Sequence, residues 1–316
     1  METITLGQNG PTVTPLCIGT WAWGDKLFWS YGNDYGPEQL QAAFTAAIDA
    51  GVNFFDTAEV YGLGLSEQFL GQFMQKTDKP VQIATKFGPL PWRFQGQSVA
   101  DALTDSLKRL QVERVALYQV HWPFTFFLSQ ETLMNALADE VQRGRIETIG
   151  VSNYSAQQMR EAHQILAARG VPLAVNQVRY SLLTRQIESK GICDTARELG
   201  VTILAYSPLA QGLLTGKYTA SGGETPSGAR RLDSRFSKEG LQKIEPVISL
   251  LRQLGEKHGH TPAQVALNWL IAQGNVIPIP GAKTAQQAQQ NAGALGWRLT
   301  SDEVAQLEEV SRPWLK

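Results

Sequence analysis

The chain has 316 residues, a net charge of −1 and 43% hydrophobic residues. Its length suffices for a large core, its composition is globular, and its near-neutral charge offers no footprint for nucleic acid or an anionic membrane surface. No apolar run reaches the roughly 18 residues of a membrane span, M-E-T-I-T-L-G lacks the pattern of a secretion signal, and two distant cysteines, Cys17 and Cys193, suit a reducing, cytoplasmic location.

The first expected element is a hairpin over 3–14, turning at Asn9-Gly10, because that dipeptide favours tight hairpin turns. It is expected to close the bottom of a barrel. Strands and helices then alternate: strand 16–19, helix 37–50, strand 52–55, helix 66–75, strand 81–85 and helix 99–110. The alternation continues with strand 116–120, helix 130–143, strand 146–151, helix 156–169, strand 173–177, helix 191–199 and strand 201–206. A long polar loop (208–238) and two helices follow, then strand 276–279 and a final helix, 285–295. Leu103, Leu107 and Leu110 recur at spacings of four and three, which gives their helix one apolar face. Gly51, Gly170 and Gly200 each end a helical stretch, where the left-handed backbone suits glycine. The alternation implies parallel strands covered by crossover helices. The length allows one barrel or two smaller domains, and no break in composition marks a boundary. A loop as long as 208–238 inside a compact domain is usually functional or mobile, and it follows the seventh strand.

Three successive strands break off at ionisable residues. N-F-F-D-T-A-E-V-Y-G (53–62) carries Asp56 and Tyr61, V-Q-I-A-T-K-F-G (81–88) carries Lys86, and V-A-L-Y-Q-V-H-W-P (115–123) carries His121. In a parallel barrel all strands end on one rim, so these side chains would converge there. Singly, each is more commonly a cap or a surface residue; together they make a proton-donating site. A free phenol titrates near about 10, and a neighbouring ammonium is expected to lower that value. Asp56 would hold Lys86 charged and oriented, and His121 would hydrogen-bond a substrate oxygen or the phenol. Such a set protonates a developing alkoxide while a hydride reaches carbon, and a protein without a hydride donor of its own needs a nicotinamide cofactor to do it.

Other signals are set aside. Gly62-Leu-Gly64 lacks the third glycine of a dinucleotide fingerprint, position 67 being Glu. His258-Gly-His260 has no supporting cysteine or acid cluster, so no metal is expected. Asn153-Tyr154-Ser155 is a formal glycosylation sequon inside a strand-end motif. Trp21, Trp23, Phe28, Trp29, Tyr31, Trp92 and Trp122 lie after strand ends, where some pack and others would form an apolar wall against an aryl or alkyl carbonyl. Trp21 and Trp122 are the foremost substrate candidates.

Over nearly its whole length the chain resembles an aldo-keto reductase. The resemblance rests on D-T-A-E-V-Y-G (56–62) with Ser66-Glu67, A-T-K (84–86), D-S-L-K-R-L (105–110), V-H-W-P (120–123), I-G-V-S-N-Y (149–154), A-Y-S-P-L-A-Q-G (205–212) and I-P-G-A-K (279–283). It implies a single-domain (β/α)8 TIM barrel spanning 1–316 that binds an extended nicotinamide cofactor without a Rossmann domain. Tyr61 would be the general acid, Lys86 and Asp56 its tuning pair, and His121 the orienting donor. Ser152, Asn153 and Gln177 would hold the carboxamide, and Tyr206 would stack on the nicotinamide. Gly19, Thr20, Trp21 and Asp56 are placed beside the cofactor, and Ser207, Leu209 and Gly212 along the pyrophosphate. Gly281 to Thr284 precede a helix whose N–H groups favour an anion. Lys283 would pair with the extra ribose phosphate, which argues for NADPH over NADH. Gln287, Gln290 and Asn291 align near the adenine. Many relatives carry an arginine where Gln287 stands, and a glutamine lacks its planar charge. Trp21, Trp23, Tyr61, Trp92, His121 and Trp122 would meet the substrate. The expected activity is NADPH-dependent reduction of a small-molecule aldehyde or ketone by a monomer. The alternatives are a cofactor-binding regulatory subunit with slow turnover and an aldolase using Lys86 as a Schiff base.

Overall fold

Short apolar runs bounded by turn residues form strands, and the amphipathic runs between them form helices on the outside. The computed structural model describes residues 2–26, 29–220, 222–224, 226, 230 and 233–316; Phe28 of the expected aromatic wall and parts of the 221–232 stretch lie outside them. A hairpin, β1 (Ile4–Thr5) and β2 (Thr12–Val13), comes first. It is followed by β3 (Ile18–Gly19), α1 (Pro37–Asp49), β4 (Phe54–Asp56), α2 (Leu65–Met74), β5 (Gln82–Phe87), α3 (Gln97–Leu110), β6 (Val115–Val120), α4 (Gln130–Gln142), β7 (Ile146–Ser152), α5 (Ala156–Ala167) and β8 (Leu173–Arg179). Then come α6 (Gln186–Ser189), α7 (Ile192–Leu199), β9 (Thr202–Tyr206), a small ribbon of β10 (Tyr218–Thr219) and β11 (Gly222–Gly223), α8 (Lys238–His258), α9 (Pro262–Ile271), β12 (Val276–Ile279), α10 (Ala285–Ala292) and α11 (Ser301–Val310).

Eight parallel strands pair in the order β3-β4-β5-β6-β7-β8-β9-β12. The sheet curls until its first and last strands meet. Cys17 N donates to Pro278 O (3.0 Å), Gly19 N donates to Pro280 O (3.0 Å), and Gly19 bridges Gly281. Proline has no N–H to donate, but its carbonyl accepts freely, so β12 can still receive β3. A Cβ at Gly19 would lie 3.0 Å from Ile279 Cγ2, so glycine lets the strands close.

Side chains from alternate strand positions fill the barrel, among them Phe54, Ala84, Leu117, Val175, Leu204 and Ile277. Leu6 and Val13 of the hairpin belong to that same buried group, so the hairpin plugs the bottom as expected. Its turn is wider than a two-residue Asn-Gly turn. Ile4 pairs with Val13 and Thr5 with Thr12, Leu6 N donates to Pro11 O (3.1 Å), and Gly7 takes the left-handed backbone with φ 60°. Burial explains the difference. Leu6 must point into the barrel, and a Cβ at Gly7 would lie 2.7 Å from Ala174 Cα.

The helices obey the sequence rules. Leu103, Leu107 and Leu110 are buried in α3. Ser155 and Gln158 form a capping box at α5, and Gly200 ends α7 in the left-handed region. The chain does not stop at the helix after β12. Thr300 and Glu303 form a further capping box that starts α11, a Thr-x-x-Glu signal already present in the sequence, and Thr261 and Gln264 form another at α9. Among the described residues no helix is long and apolar enough to cross a membrane.

Candidate active site

The four strand-end residues meet at the rim. Asp56 closes β4, Lys86 lies one residue from the end of β5, His121 follows β6, and Tyr61 opens the turn after β4. Lys86 is fully buried. Its Nζ donates to Asp56 Oδ2 (2.6 Å), to Thr57 O (2.7 Å) and to the Tyr61 hydroxyl (3.3 Å). All three ammonium protons are therefore used, and the cation also lies 4.7 Å from the Tyr61 ring centroid. Burial works against the charged form of Lys86, but Asp56 and Tyr61 outweigh it and hold the ammonium above its ordinary value.

The Tyr61 phenol departs from the simple expectation. Burial pushes its pKa up; Lys86 pulls it down but does not win, and Asp56 adds to the rise. The hydroxyl therefore keeps its proton at working pH, and the ammonium waits beside it for the charge that proton transfer would leave. His121 is also neutral, because burial, helped by Lys86, lowers its pKa to about 2. Its ring stacks on Trp122 (3.9 Å, 1°) and meets Tyr61 edge to face (5.6 Å, 81°). Its Nδ1 is buried without a partner among the described residues.

A layer of buried amides supports this group. Gln119 Nε2 and Gln177 Nε2 both donate to Asp56 Oδ1 (3.1 and 2.8 Å), and Gln177 Nε2 also reaches Gln119 Oε1 (3.2 Å). Asp56 thus has donors on both oxygens, as a buried carboxylate requires. Gly150 on β7 leaves the room, since a Cβ there would lie 2.9 Å from Gln119 Cγ. Gln119 was not among the expected site residues. It sits inside an apolar strand, and its only sequence signal is an amide at an inward-facing position two residues before His121.

The expected cofactor residues divide. Ser152 Oγ donates to Gln177 O (2.9 Å), Asn153 Nδ2 donates to Ser152 Oγ (3.0 Å), and the Tyr206 hydroxyl donates to Asn153 Oδ1 (2.9 Å), so these three form one shelf beside His121. Gln177 faces the Asp56–Lys86–Tyr61 group and spends its amide N–H on Asp56. Thr20 is buried, with Oγ1 donating to Asp56 O (3.0 Å) and 2.7 Å from Ser66 Oγ, so its side chain braces the rim from behind. Asn291 is also buried and donates to Gly281 O (3.1 Å), which fixes the turn beneath Lys283. Gln287 Oε1 accepts from Lys283 N (2.8 Å), and Gln290 lies exposed on α10.

Two features fit a nicotinamide dinucleotide. The loop after β9 runs through left-handed φ at Ser207 (52°), Ala210 (48°), Gln211 (59°) and Gly212 (99°). Non-glycine residues there cost of order 1–3 kcal/mol each, and such strain gathers at ligand-holding loops. Leu209 lies inside the same loop. Lys283 precedes the N-terminus of α10 and makes no ion pair among the described residues; its ammonium lies over Tyr35 (4.5 Å) and Trp29 (5.6 Å). Burial lowers its pKa, Arg230 and Lys217 add to the fall, and Asp34 opposes it. Lys217 already pairs with Glu224 (2.8 Å), so a phosphate at the start of α10 would answer chiefly to Lys283.

The aromatic residues expected at the rim are placed differently from one another. Trp21 is 42% exposed and tilts against Tyr61 (6.4 Å), Trp92 is 68% exposed, and Trp122 backs His121. Trp23 is a correction: it has no exposed surface, donates Nε1–H to Ala282 O (2.9 Å) and packs on Phe73, so it cannot meet a substrate at the rim. Phe94, Phe124, Phe126 and Phe127, in the loops after β5 and β6, are all exposed. Phe94 and Phe127 meet edge to face across two rim loops (5.7 Å), and Phe124 stacks near Trp122 (6.0 Å). The cluster F-T-F-F (124–127) directly after V-H-W-P was the available signal. The two histidines set aside as metal ligands flank Trp297, and His258 Nε2 lies 2.9 Å from Glu303 Oε1.

The sequence matches the Aldo/keto reductase family over residues 15–312. It is 41% identical to the chloroplastic pyridoxal reductase of Arabidopsis thaliana over 321 residues, covering 96% of this chain and 85% of that protein. It is 34% identical to the aldo-keto reductase yakc [NADP(+)] of Schizosaccharomyces pombe over 292 residues, covering 87% and 84% of the two chains. Its fold matches the glycerol dehydrogenase of Gluconobacter oxydans with a TM-score of 0.86 and 29% identity, covering 99% and 96%.

Proposed function

The chain belongs to the aldo/keto reductase family, and from that premise we propose that it reduces aldehydes with NADPH, Tyr61 giving the proton. The observation that carries this reading is the line from Asp56 through Lys86 to the Tyr61 hydroxyl, with contacts of 2.6 and 3.3 Å. Bound NADPH supplies the hydride. Tyr61 delivers its proton to the carbonyl oxygen, and the fixed ammonium of Lys86 stabilises the phenolate left behind. The neutral His121 donates one N–H to the same oxygen and orients it. Trp21 and Trp122 shield the site from water. Ser152, Asn153 and Tyr206 would hold the nicotinamide end, Ser207 to Gly212 would flank the pyrophosphate, and Lys283 would take the ribose phosphate. A lysine held charged by Asp56 is a poor imine-forming nucleophile, so an aldolase is disfavoured.

The aromatic rim suits a flat aldehyde, and the Arabidopsis relative is named for pyridoxal, so pyridoxal is the substrate to try first. We assign the protein to the cytoplasm because its two buried free thiols suit a reducing compartment. Fluorescence titration with NADPH and NADH, followed by oxidation of bound cofactor with pyridoxal, aryl and alkyl aldehydes, tests the reading. Tight NADPH binding with aldehyde-dependent oxidation supports it; binding without turnover favours a regulatory subunit, and no binding overturns it. In the Lys283→Ala variant NADPH should lose roughly tenfold or more in affinity while NADH changes little. Equal losses would remove Lys283 from the phosphate.

A further inference from the structure

One ion pair behind the rim belongs to none of the functions above. Glu59 lies two residues before Tyr61, in the turn that carries the acid. Its Oε1 accepts from Gly88 N (2.6 Å) and from Arg93 NH1 (2.5 Å), and its Oε2 accepts from Arg93 NH2 (2.9 Å). The same guanidinium donates to Gly88 O (2.7 Å) and covers the Phe87 ring at 4.8 Å. The two side chains are only 9% and 15% exposed, so the pair is largely removed from water. Planar bidentate geometry of this kind fixes direction as well as distance.

What the pair holds is a sharp loop. Leu90 N donates to Gly88 O (2.8 Å) and Arg93 N to Leu90 O (3.0 Å), so residues 88–93 turn back on themselves. Trp92 and Phe94 flank Arg93 on the outward side and stand exposed at the mouth. Phe94 then meets Phe127 of the next loop. Gly88 is wedged underneath, where an added Cβ would lie 3.3 Å from Glu59 Oε1 and 3.6 Å from Trp122 Cζ3. Among the described residues Glu59 and Arg93 supply the polar ties between this loop and the Tyr61 turn, and two exposed aromatic rings do not anchor a loop in water.

We propose that Glu59 and Arg93 form a positioning clamp that sets the aromatic lip, Trp92 and Phe94, against the Tyr61 turn and so selects aldehydes with a flat apolar body. Neither residue touches the reacting atoms. The clamp acts on where the substrate's body rests, so it is read in KM more than in kcat. This inference rests on the aldehyde-reductase reading.

The test compares 4-nitrobenzaldehyde with propanal under saturating NADPH. In wild type the aryl aldehyde should show the lower KM. In Arg93→Met, which keeps an apolar stem over Phe87, KM for the aryl aldehyde should rise roughly tenfold, with kcat and the propanal KM moving less than about threefold. Arg93→Lys keeps the charge but not the fork, and should fall between. Removing one partner of a buried pair can unfold a protein, so Phe94→Ala, which leaves the clamp intact, carries the test independently by showing the same KM split. Combining Arg93→Met with Phe94→Ala should add little further loss. Equal losses for both aldehydes, an unchanged aryl KM, or full additivity would overturn the clamp while leaving the reductase in place. A wild-type protein that oxidises NADPH with neither aldehyde would overturn the reductase reading and the clamp with it.

Discussion

At Tyr61 two effects oppose each other: burial keeps the proton on the phenol, and an ammonium 3.3 Å away favours its release. The balance leaves a protonated acid beside a ready counter-charge. Tyr61→Phe should therefore lower kcat by roughly 10²–10⁴-fold with little change in NADPH affinity, measured by steady-state kinetics and fluorescence titration; near-normal turnover would remove the assigned acid. His121 offers a pH test. Its folded pKa is about 2, whereas a free imidazole titrates near about 6.5. Between these values the unfolded chain binds a proton that the folded chain refuses. Stability is then undiminished above the free value and declines as pH falls from there toward 2. In urea titrations at pH 8 and pH 5, His121→Gln should lose less stability between the two than wild type, and equal losses would mean the imidazole is charged in the folded protein. The sequence showed the four ionisable groups because each interrupts an apolar run. It did not show the sign of the Tyr61 shift, since that depends on burial summed over the rim. Nor did it show Glu59 with Arg93, because the pair spans 34 positions and no local pattern joins them.

Among the elements, the N-terminal hairpin matters out of proportion to its length. Its two strands are short, yet Leu6 and Val13 complete the floor of the barrel. Leu6→Ala should cost about 2–5 kcal/mol by urea unfolding while kcat stays within about twofold, because the floor lies at the opposite end from the rim. A loss below about 1 kcal/mol would mean the hairpin only rests on the barrel. Strands and helices of the alternating units were legible from periodicity and helix-ending glycines. The departures share one cause, in that tertiary contact decided what local pattern left open. Asn9-Gly10 promised a tight turn, and the need to bury Leu6 widened it. Trp23 looked like a rim aromatic, but its N–H found Ala282 O in the interior. Gln119 read as strand and proved to hold Asp56. Helix α11 is different, since its Thr300–Glu303 box was readable from sequence and was passed over.

For the whole molecule, the place to look is where β3 meets β12. Neighbouring strands elsewhere pair in ladders, two residues long at β3–β4 and shifted in register at Ile149/Gly150 between β7 and β8, whereas this join rests on the Cys17 and Gly19 amides and one bridge to Gly281. Those two amides should exchange hydrogen faster than the amides of β6 and β7, and NADPH should slow them. The proposed cofactor path explains why, with Gly19 to Trp21 on one side of the join and Gly281 to Lys283 on the other. A ligand at about 100 times its Kd adds about 2.7 kcal/mol to the folded state. In a cell, that difference becomes a matter of survival time. A barrel that opens at its join offers a protease an unpaired edge, and one riveted across it does not. The abundance of this protein would then follow the amount of cofactor around it with no change in its synthesis. Timed digestion with and without NADPH measures the effect, and identical half-lives would show that the join does not open first.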